Sequence, residues 1–269
     1  MLHGETKLEM VGYDEKDKFG PCFIVKTPKG HTVEVADTFA EMFPLWAGRV
    51  LITADNEKWA LTAAEVATGF ATSVIMAPAE AGVEGLVPKE KTPDGRVGAL
   101  IQIYNRSRFD LKAQMMLRIG QCIMTCPTTA AFDALPNAKR RLKVGRSLRY
   151  FGDGFQKKGI VGGRKVWRIP VMEGECIVED SFGVAEAVAG GNFLILAKDK
   201  TTGLQAAEEA VKAIKSNANE VIMPFPGGVC RSGSKAGSLK YKLKASTNHP
   251  FCPALKKVVA DSQLPEDVN

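Results

Sequence analysis

The chain has 269 residues, enough to bury a sizeable core as one large domain or two of ordinary size. Hydrophobic residues make up 45% and charged residues 25%, and apolar stretches are interrupted within about ten residues, far short of the roughly 20 that a membrane helix needs. The formal charge of +6 suits an anionic partner, but 7% aromatics and no zinc-finger or aromatic-studded RNA signature argue against nucleic acid.

The N-terminus is charged and has no apolar segment ahead of a cleavage site, so the cytoplasm is the expected compartment. Six cysteines (Cys22, Cys122, Cys126, Cys176, Cys230, Cys252) are scattered, and only Cys122 and Cys126 are close, at a spacing that shares one helical face. The chain holds three histidines and no second Cys/His pair nearby, so buried thiols are expected and no metal site.

Taken in chain order, residues 1–28 read as an N-terminal extension, with a charged run at Asp14–Lys18 and an edge strand at Phe23–Val25. Val50–Ala54 reads as a buried strand. Asp55 or Asn56 suits an N-cap for a helix whose stripe, Trp59–Ala60, Ala63–Ala64 and Val66–Ala67, ends at Gly69. Ala71–Met76 reads as the next strand, Pro78–Arg96 as a long loop, Ala99–Tyr104 as a third strand and Asp110–Met124 as a second helix. This order opens a ferredoxin-like βαββαβ unit, with Trp167–Val171 as its fourth strand.

The theme restarts with strand Phe193–Ala197, helix Gly203–Ser216 and strand Glu220–Met223, closed by Pro224. The expected fold class is therefore α+β, with duplicated ferredoxin-like lobes and the second incomplete in this chain. Lys139, Arg140, Arg141, Lys143, Arg146 and Arg149 crowd eleven residues. Lys240, Lys242 and Lys244 alternate with Tyr241 and Leu243, which on a strand would make one basic and one apolar face. Both clusters read either as solvated surface or as anion contacts.

Glycine-punctuated motifs recur in one order: DTFAEMF (Asp37–Phe43), ATGFATSVIM (Ala67–Met76), TPDGR (Thr92–Arg96) and RIGQCIMTCPT (Arg118–Thr128). They continue with RYFGDGFQ (Arg149–Gln156), PVMEGE (Pro170–Glu175), AGGNF (Ala189–Phe193), MPFPGG (Met223–Gly228) and ASTN (Ala245–Asn248). From Lys29 to Asn269 this series resembles the formylmethanofuran–tetrahydromethanopterin N-formyltransferases, one-carbon enzymes of methanogens and some methylotrophic bacteria.

The resemblance implies a first ferredoxin-like lobe at 29–172 and a second at 173–269. It implies formyl transfer between formylmethanofuran and N5 of tetrahydromethanopterin, by direct amine attack in a ternary complex. Methanofuran and tetrahydromethanopterin would be co-substrates, with no metal or prosthetic group. A homo-oligomer, usually a tetramer, is implied, with both coenzymes in a cleft between lobes at a subunit contact. Bacterial relatives work in a complex with formylmethanofuran hydrolase or dehydrogenase subunits. Family members continue after the segment matching Leu264–Pro265 with a strand, a helix and a strand. The second lobe is expected to lack these, and the family's acid–base carboxylate to lie past Asn269.

Amide-to-amine transfer passes through a tetrahedral oxyanion and exchanges protons, so it needs aimed donors and a carboxylic acid of raised pKa. No G-x-S-x-G elbow is present, and three histidines supply few Ser/His or Cys/His couples. Glu173 and Glu175 are the acid candidates, with Asp180 and Asp153 beside them; turn chemistry is the competing reading. Phe151, Asp153, Phe155 and Gln156 suit a flat coenzyme ring, although Asp153 between two glycines reads first as a turn residue. Asn192 could donate to a formyl or pteridine oxygen. Its Gly190-Gly191 neighbours, like Pro226-Gly227-Gly228, let backbone N–H groups approach a ligand.

Ser232, Ser234, Lys235, Ser246, Thr247 and Asn248 would form a polar wall. Arg231, Lys235, Lys240, Lys242 and Lys244 suit the anionic tails of the two coenzymes. His249 reads first as structural. Two rival readings are a non-catalytic coenzyme-binding or scaffold subunit of a formyltransferase/hydrolase complex, and an RNA-binding sheet. The latter needs aromatics on two central strands, where only Tyr104 and Phe193 come close.

Overall fold

A computed structural model of the chain describes residues 8–9, 22–26, 32–38, 40, 42–231 and 235–268. The charged run Asp14–Lys18 lies outside them. Strands β1 (Leu8–Glu9), β2 (Cys22–Lys26) and β3 (Thr32–Ala36) form a small antiparallel sheet of their own. The strand expected at Phe23–Val25 lies within β2 and is its central member, not an edge.

The main sheet begins with β4 (Phe43–Thr53). Period-two alternation sends Val50 and Ile52 into the large core, while Leu51 joins a second cluster with Ala130, Phe132 and Val166. Helix α1 (Glu57–Thr68) follows. Asn56 caps it by accepting the Trp59 N–H at 3.2 Å, and Ala60, Ala63, Ala64 and Ala67 are its buried stripe. Val66, assigned to that stripe from the sequence, points to solvent.

The next expectation fails. Ala71–Met76 is a turn, and β5 (Glu80–Val87) lies in the stretch read as loop. Ala71 is buried and its carbonyl accepts the Ala81 N–H at 2.9 Å, which fixes the run as a turn against the start of β5. Two glycines and two glutamates obscure β5 in the sequence. One break is a bulge between Val83 and Gly85, and at Gly82 an added Cβ would lie 3.0 Å from Ile222 Cβ.

Strand β6 (Gly98–Asn105), helix α2 (Arg108–Arg118) and β7 (Ala130–Asp133) complete the unit. Ser107 caps α2, accepting the Asp110 N–H at 3.1 Å, and a π turn at Ile119–Ile123 extends it. The order β5-β6-β4-β7, antiparallel throughout, is that of a ferredoxin-like βαββαβ lobe. Its fourth strand is therefore β7, not Trp167–Val171. Four buried residues are too few to show a period.

Strand β8 (Arg140–Leu142), helix α3 (Val144–Leu148), β9 (Lys157–Val161), β10 (Arg164–Val171), β11 (Gly174–Glu179) and β12 (Phe182–Ala189) extend this sheet. β11 runs parallel to β7, β10 and β9 continue outward, and β12 returns to pair with β4 and β8.

Helix α4 (Lys200–Asn217) starts at Asp199, which accepts the Thr202 N–H at 2.9 Å. Phe193–Ala197 and Glu220–Met223, expected as strands beside it, carry no ladder among the described residues. A strand exists only where a partner edge meets it. Residues 220–222 instead lie over β5 and β6: Gln102 donates to the Glu220 carbonyl at 3.0 Å, and Arg49 reaches the Glu220 carboxylate at 3.3 Å. β13 (Lys235–Ala236) and β14 (Ala245–Ser246) pair as a short hairpin. The stretch carrying Lys240, Lys242 and Lys244 is its bent loop rather than a strand, so lysines and apolar residues share one exposed surface. The architecture is α+β, with one complete ferredoxin-like lobe followed by the segment around α4.

Helix α1 has no basic residue in its last turn, and α2 supplies one. Arg118, 7% exposed, donates to the Ala67 carbonyl at 2.6 Å and the Gly69 carbonyl at 2.9 Å. Burial lowers its pKa. Arg118→Met keeps the apolar stem but strips those carbonyls of their donor, so it should cost about 2 kcal/mol, seen as a lower urea midpoint. An unchanged midpoint would show that water serves the carbonyls equally well.

Candidate functional site

At the C-terminal end of β4 three motifs meet: TPDGR, MTCPT and PVMEGE. Asp94 accepts from Thr53 Oγ1 at 2.6 Å, Arg96 Nε at 3.0 Å and Arg96 Nη2 at 2.9 Å. Arg96 Nη1 donates to the Asp55 carboxylate at 3.0 Å and to the Thr128 carbonyl. Thr128 has φ 64°, a left-handed conformation uncommon outside glycine, and the Glu173 carboxylate accepts its N–H. Glu173 is thus engaged in holding a turn. Glu175 pairs with Arg168 across the hairpin at 3.0 Å, and Asp180 with Arg146 at 3.3 Å and Trp167 Nε1 at 2.8 Å. Burial pushes the Cys176 thiol up to about 12, with Arg96 opposing, so it is an inert thiol. Cys122 lies in the π turn and Cys126 beyond it, so the two do not share an α-helical face. Among the described residues no group of three His, Cys, Asp or Glu side chains is placed to hold a metal, and no helix is long and apolar enough to cross a membrane.

In RYFGDGFQ, Asp153 ends a 3₁₀ turn with φ 48°. Gln156 Oε1 accepts the Gly154 N–H at 2.9 Å, and Phe151 and Phe155 present exposed rings. The Arg149 guanidinium lies 4.7 Å from both the Tyr150 and Trp167 ring centres. The loop packs on its own lobe, with Phe151 against Gly120 of the π turn.

The loop 68–77 carries most of the ATGFATSVIM motif and lines two open hollows. The first, about 400 Å³, is formed by Glu65, Thr68, Phe70 and Thr72 with Pro226 and Gly227. The second, about 370 Å³, is formed by Val74–Ala77 with Lys242, Leu243 and Lys244. Gly227 and Gly228 take φ 65° and 83°, backbone that glycine adopts freely. Phe70 has φ 45° and is 78% exposed at the rim of the first hollow. A bulky residue in that conformation is held there by its surroundings, and such strain concentrates at ligand sites. Sequence reasoning used this motif to recognise the series but assigned none of its residues to a site.

Among the other candidates, Lys235 and Ser246 are ladder partners, and Lys235 Nζ contacts His249 Nδ1 at 2.8 Å. The Thr247 carbonyl accepts the His249 N–H at 3.0 Å, and Asn248 precedes the 3₁₀ turn His249–Phe251 without capping it. The Lys240 ammonium sits 5.6 Å from the Tyr241 ring centre. Asn192 is exposed and donates to the Gly190 carbonyl at 3.1 Å. Ser232 and Ser234 lie outside the described residues. The structure thus joins Pro226, Gly227 and Lys242 to the loop 68–77, and Lys235 to Ser246. It engages Glu173 and Glu175 elsewhere, in the turn and the hairpin.

Residues 29–171 match the family model described as formylmethanofuran-tetrahydromethanopterin formyltransferase, and residues 174–269 match that of its proximal lobe. Over 241 residues the chain is 56% identical to the formylmethanofuran–tetrahydromethanopterin formyltransferase of Methanocaldococcus jannaschii, covering 88% of this chain and 80% of the relative. It is 55% identical over 240 residues to that of Methanopyrus kandleri, covering 88% and 79%. A solved formyltransferase from Methanosarcina barkeri superposes with TM-score 0.82 at 48% identity, covering 87% of this chain and 78% of that one. A chain of the formyltransferase/hydrolase complex from Methylorubrum extorquens, determined with methylofuran, gives TM-score 0.83 at 45% identity, covering 88% and 78%.

Proposed function

We propose that this chain, which belongs to the formylmethanofuran–tetrahydromethanopterin formyltransferase family, transfers a formyl group between formylmethanofuran and N5 of tetrahydromethanopterin. The acceptor amine attacks the formyl carbon directly in a ternary complex, and both coenzymes are co-substrates without a prosthetic group. The observation that carries this reading is the loop 68–77 with one hollow lined by its first half and another by its second, each completed by a segment from beyond residue 220. Two elongated molecules laid along one loop meet at its middle. Holding them there makes a bimolecular step effectively unimolecular, the largest contribution available without covalent chemistry.

The hollow lined by Lys242 and Lys244 suits an anionic tail, either the glutamyl carboxylates of methanofuran or the phosphate and carboxylates of the pterin. In this reading the lobes are residues 29–172 and 173–269, residues 1–28 are an extension, and β11 and β12 tie the lobes through the shared sheet. The chain works in the cytoplasm as a homotetramer whose subunit contact completes the cleft, with formylmethanofuran hydrolase or dehydrogenase subunits as further partners.

Purified full-length protein supplied with both coenzymes should form 5-formyl-tetrahydromethanopterin without added metal. Folded protein that binds coenzyme yet makes no product would instead support the scaffold reading. Lys242→Glu with Lys244→Glu should raise KM for one coenzyme about tenfold, hold kcat, and flatten the salt dependence of kcat/KM. Unchanged kinetics would make this loop ordinary surface.

A further inference from the structure

Lys235, His249 and Asp261 form one hydrogen-bonded chain from β13, through the turn at His249–Phe251, to the C-terminal stretch. Lys235 Nζ lies 2.8 Å from His249 Nδ1, and His249 Nε2 lies 2.9 Å from the Asp261 carboxylate. An ammonium only donates, so Nδ1 is the acceptor; Nε2 then carries the ring proton and donates to Asp261. The imidazole side chain is 16% exposed and Asp261 62%, so the ring is packed in place while its carboxylate partner meets solvent. The bond from His249 holds the Asp261 carboxyl below its ordinary range.

The imidazole takes one of the three ammonium N–H groups, and no other hydrogen-bond acceptor for Lys235 is present among the described residues. Residues 235–249 contain four lysines and no carboxylate, so the counter-charge nearest this ammonium is Asp261, hydrogen-bonded to the far side of the imidazole and close enough to feel the lysine charge. The hairpin is closed by the Gly237 N–H to the Lys244 carbonyl at 2.6 Å, which places Lys235 at the base of the loop whose Lys242 and Lys244 line the basic hollow. A surface lysine normally loses side-chain freedom when it binds an anion, whereas an imidazole here has already fixed the stem.

We infer that His249 and Asp261 are positioning residues that aim the Lys235 ammonium at an oxyanion of a bound coenzyme, a carboxylate or a phosphate. This rests on the formyl-transfer reading for the identity of the ligand, and its test uses binding so that it does not depend on turnover. Full-length wild type and variants are titrated calorimetrically with formylmethanofuran and with tetrahydromethanopterin, alongside steady-state kinetics and melting. His249→Ala should weaken binding of one coenzyme about tenfold, raise the matching KM, and leave kcat within about twofold. Loss confined to formylmethanofuran places its carboxylates at Lys235, and loss confined to tetrahydromethanopterin places its phosphate or carboxylate there.

His249→Asn offers Oδ1 where the ring has Nδ1 and should restore most of the affinity, which a merely packed ring would not predict. Lys235→Met should lose as much as His249→Ala, and adding His249→Ala to it should cost nothing further. The inference is overturned if His249→Ala lowers the melting temperature while both affinities stay at wild type, or if the two losses add. Wild type that binds neither coenzyme would overturn this inference and the formyl-transfer reading together. Wild type that binds without turnover would overturn the formyl-transfer reading alone.

Discussion

Asp133→Ala should destabilise the protein by about 2–4 kcal/mol, because two backbone amides and a half-buried guanidinium lose one acceptor at once. Asp133 is the last residue of β7 and 0% exposed. Its Oδ1 accepts from the Leu135 and Gly183 N–H groups, both at 2.9 Å, and its Oδ2 accepts from Arg141 Nη2 at 2.8 Å. Around it, the Asp133 N–H donates to Glu179 at 2.8 Å, and Arg164 reaches Glu179 at 3.0 Å. Burial pushes the Glu179 carboxyl up, opposed by the Asp133 N–H and Arg164. Alanine would leave two amides unanswered, while the Arg141 guanidinium would keep the Ser181 carbonyl at 2.7 Å and lose its carboxylate partner. Asp133→Asn keeps Oδ1 but turns an NH₂ toward Arg141, so its loss should fall between wild type and alanine. Urea unfolding at neutral pH measures both; a loss under about 1 kcal/mol for alanine would show that water enters and serves the orphaned donors. The consequence for function runs through Gly183, the second residue of β12, the strand that leads to Gly190–Asn192. The amides of β12 should exchange faster in Asp133→Ala before the rest of the sheet does.

Gly145→Ala is the second large effect. A Cβ at this position would sit 1.9 Å from the Glu179 carbonyl oxygen and 2.8 Å from its carbon, both backbone atoms that cannot rotate away. The close approach exists because the Arg146 N–H donates to the Asp180 carbonyl at 3.0 Å, drawing α3 onto the end of β11. An added methyl must lift the helix, and with it the loop that presents Phe151 and Phe155. Overpacking of this kind costs about 3 kcal/mol, or roughly 6–12 °C in Tm for a chain of this size. A melting curve that superposes on wild type would mean that α3 slides without cost.

Several elements were legible because their signals are local. Asn56 three residues before Trp59, and alanines spaced three and four apart, specify α1 without reference to anything distant. The same holds for α2 and for the apolar runs of β4 and β6. The order of the glycine motifs identified the family. Where the reading failed, the deciding partner was far away in sequence. β5 carries Gly82, Gly85 and two glutamates, and only its ladder with β6 makes it a strand. Phe193–Ala197 has strand-like composition but meets no edge among the described residues, and the Lys240–Lys244 alternation bends because nothing pairs with it.

The site divides in the same way. Composition alone marked Gly227 and Lys242 as ligand-facing types, and it could list Glu173 and Glu175 as acids. It could not show that Glu173 accepts the Thr128 N–H, or that Phe70 takes φ 45° at the rim of a hollow. Caps and helical stripes are written within a few consecutive residues, so this chain determined them by itself. Whether a carboxylate is free, a glycine indispensable or a strand paired depends on which atoms come within about 3 Å from a hundred residues away, and only the folded chain decides that.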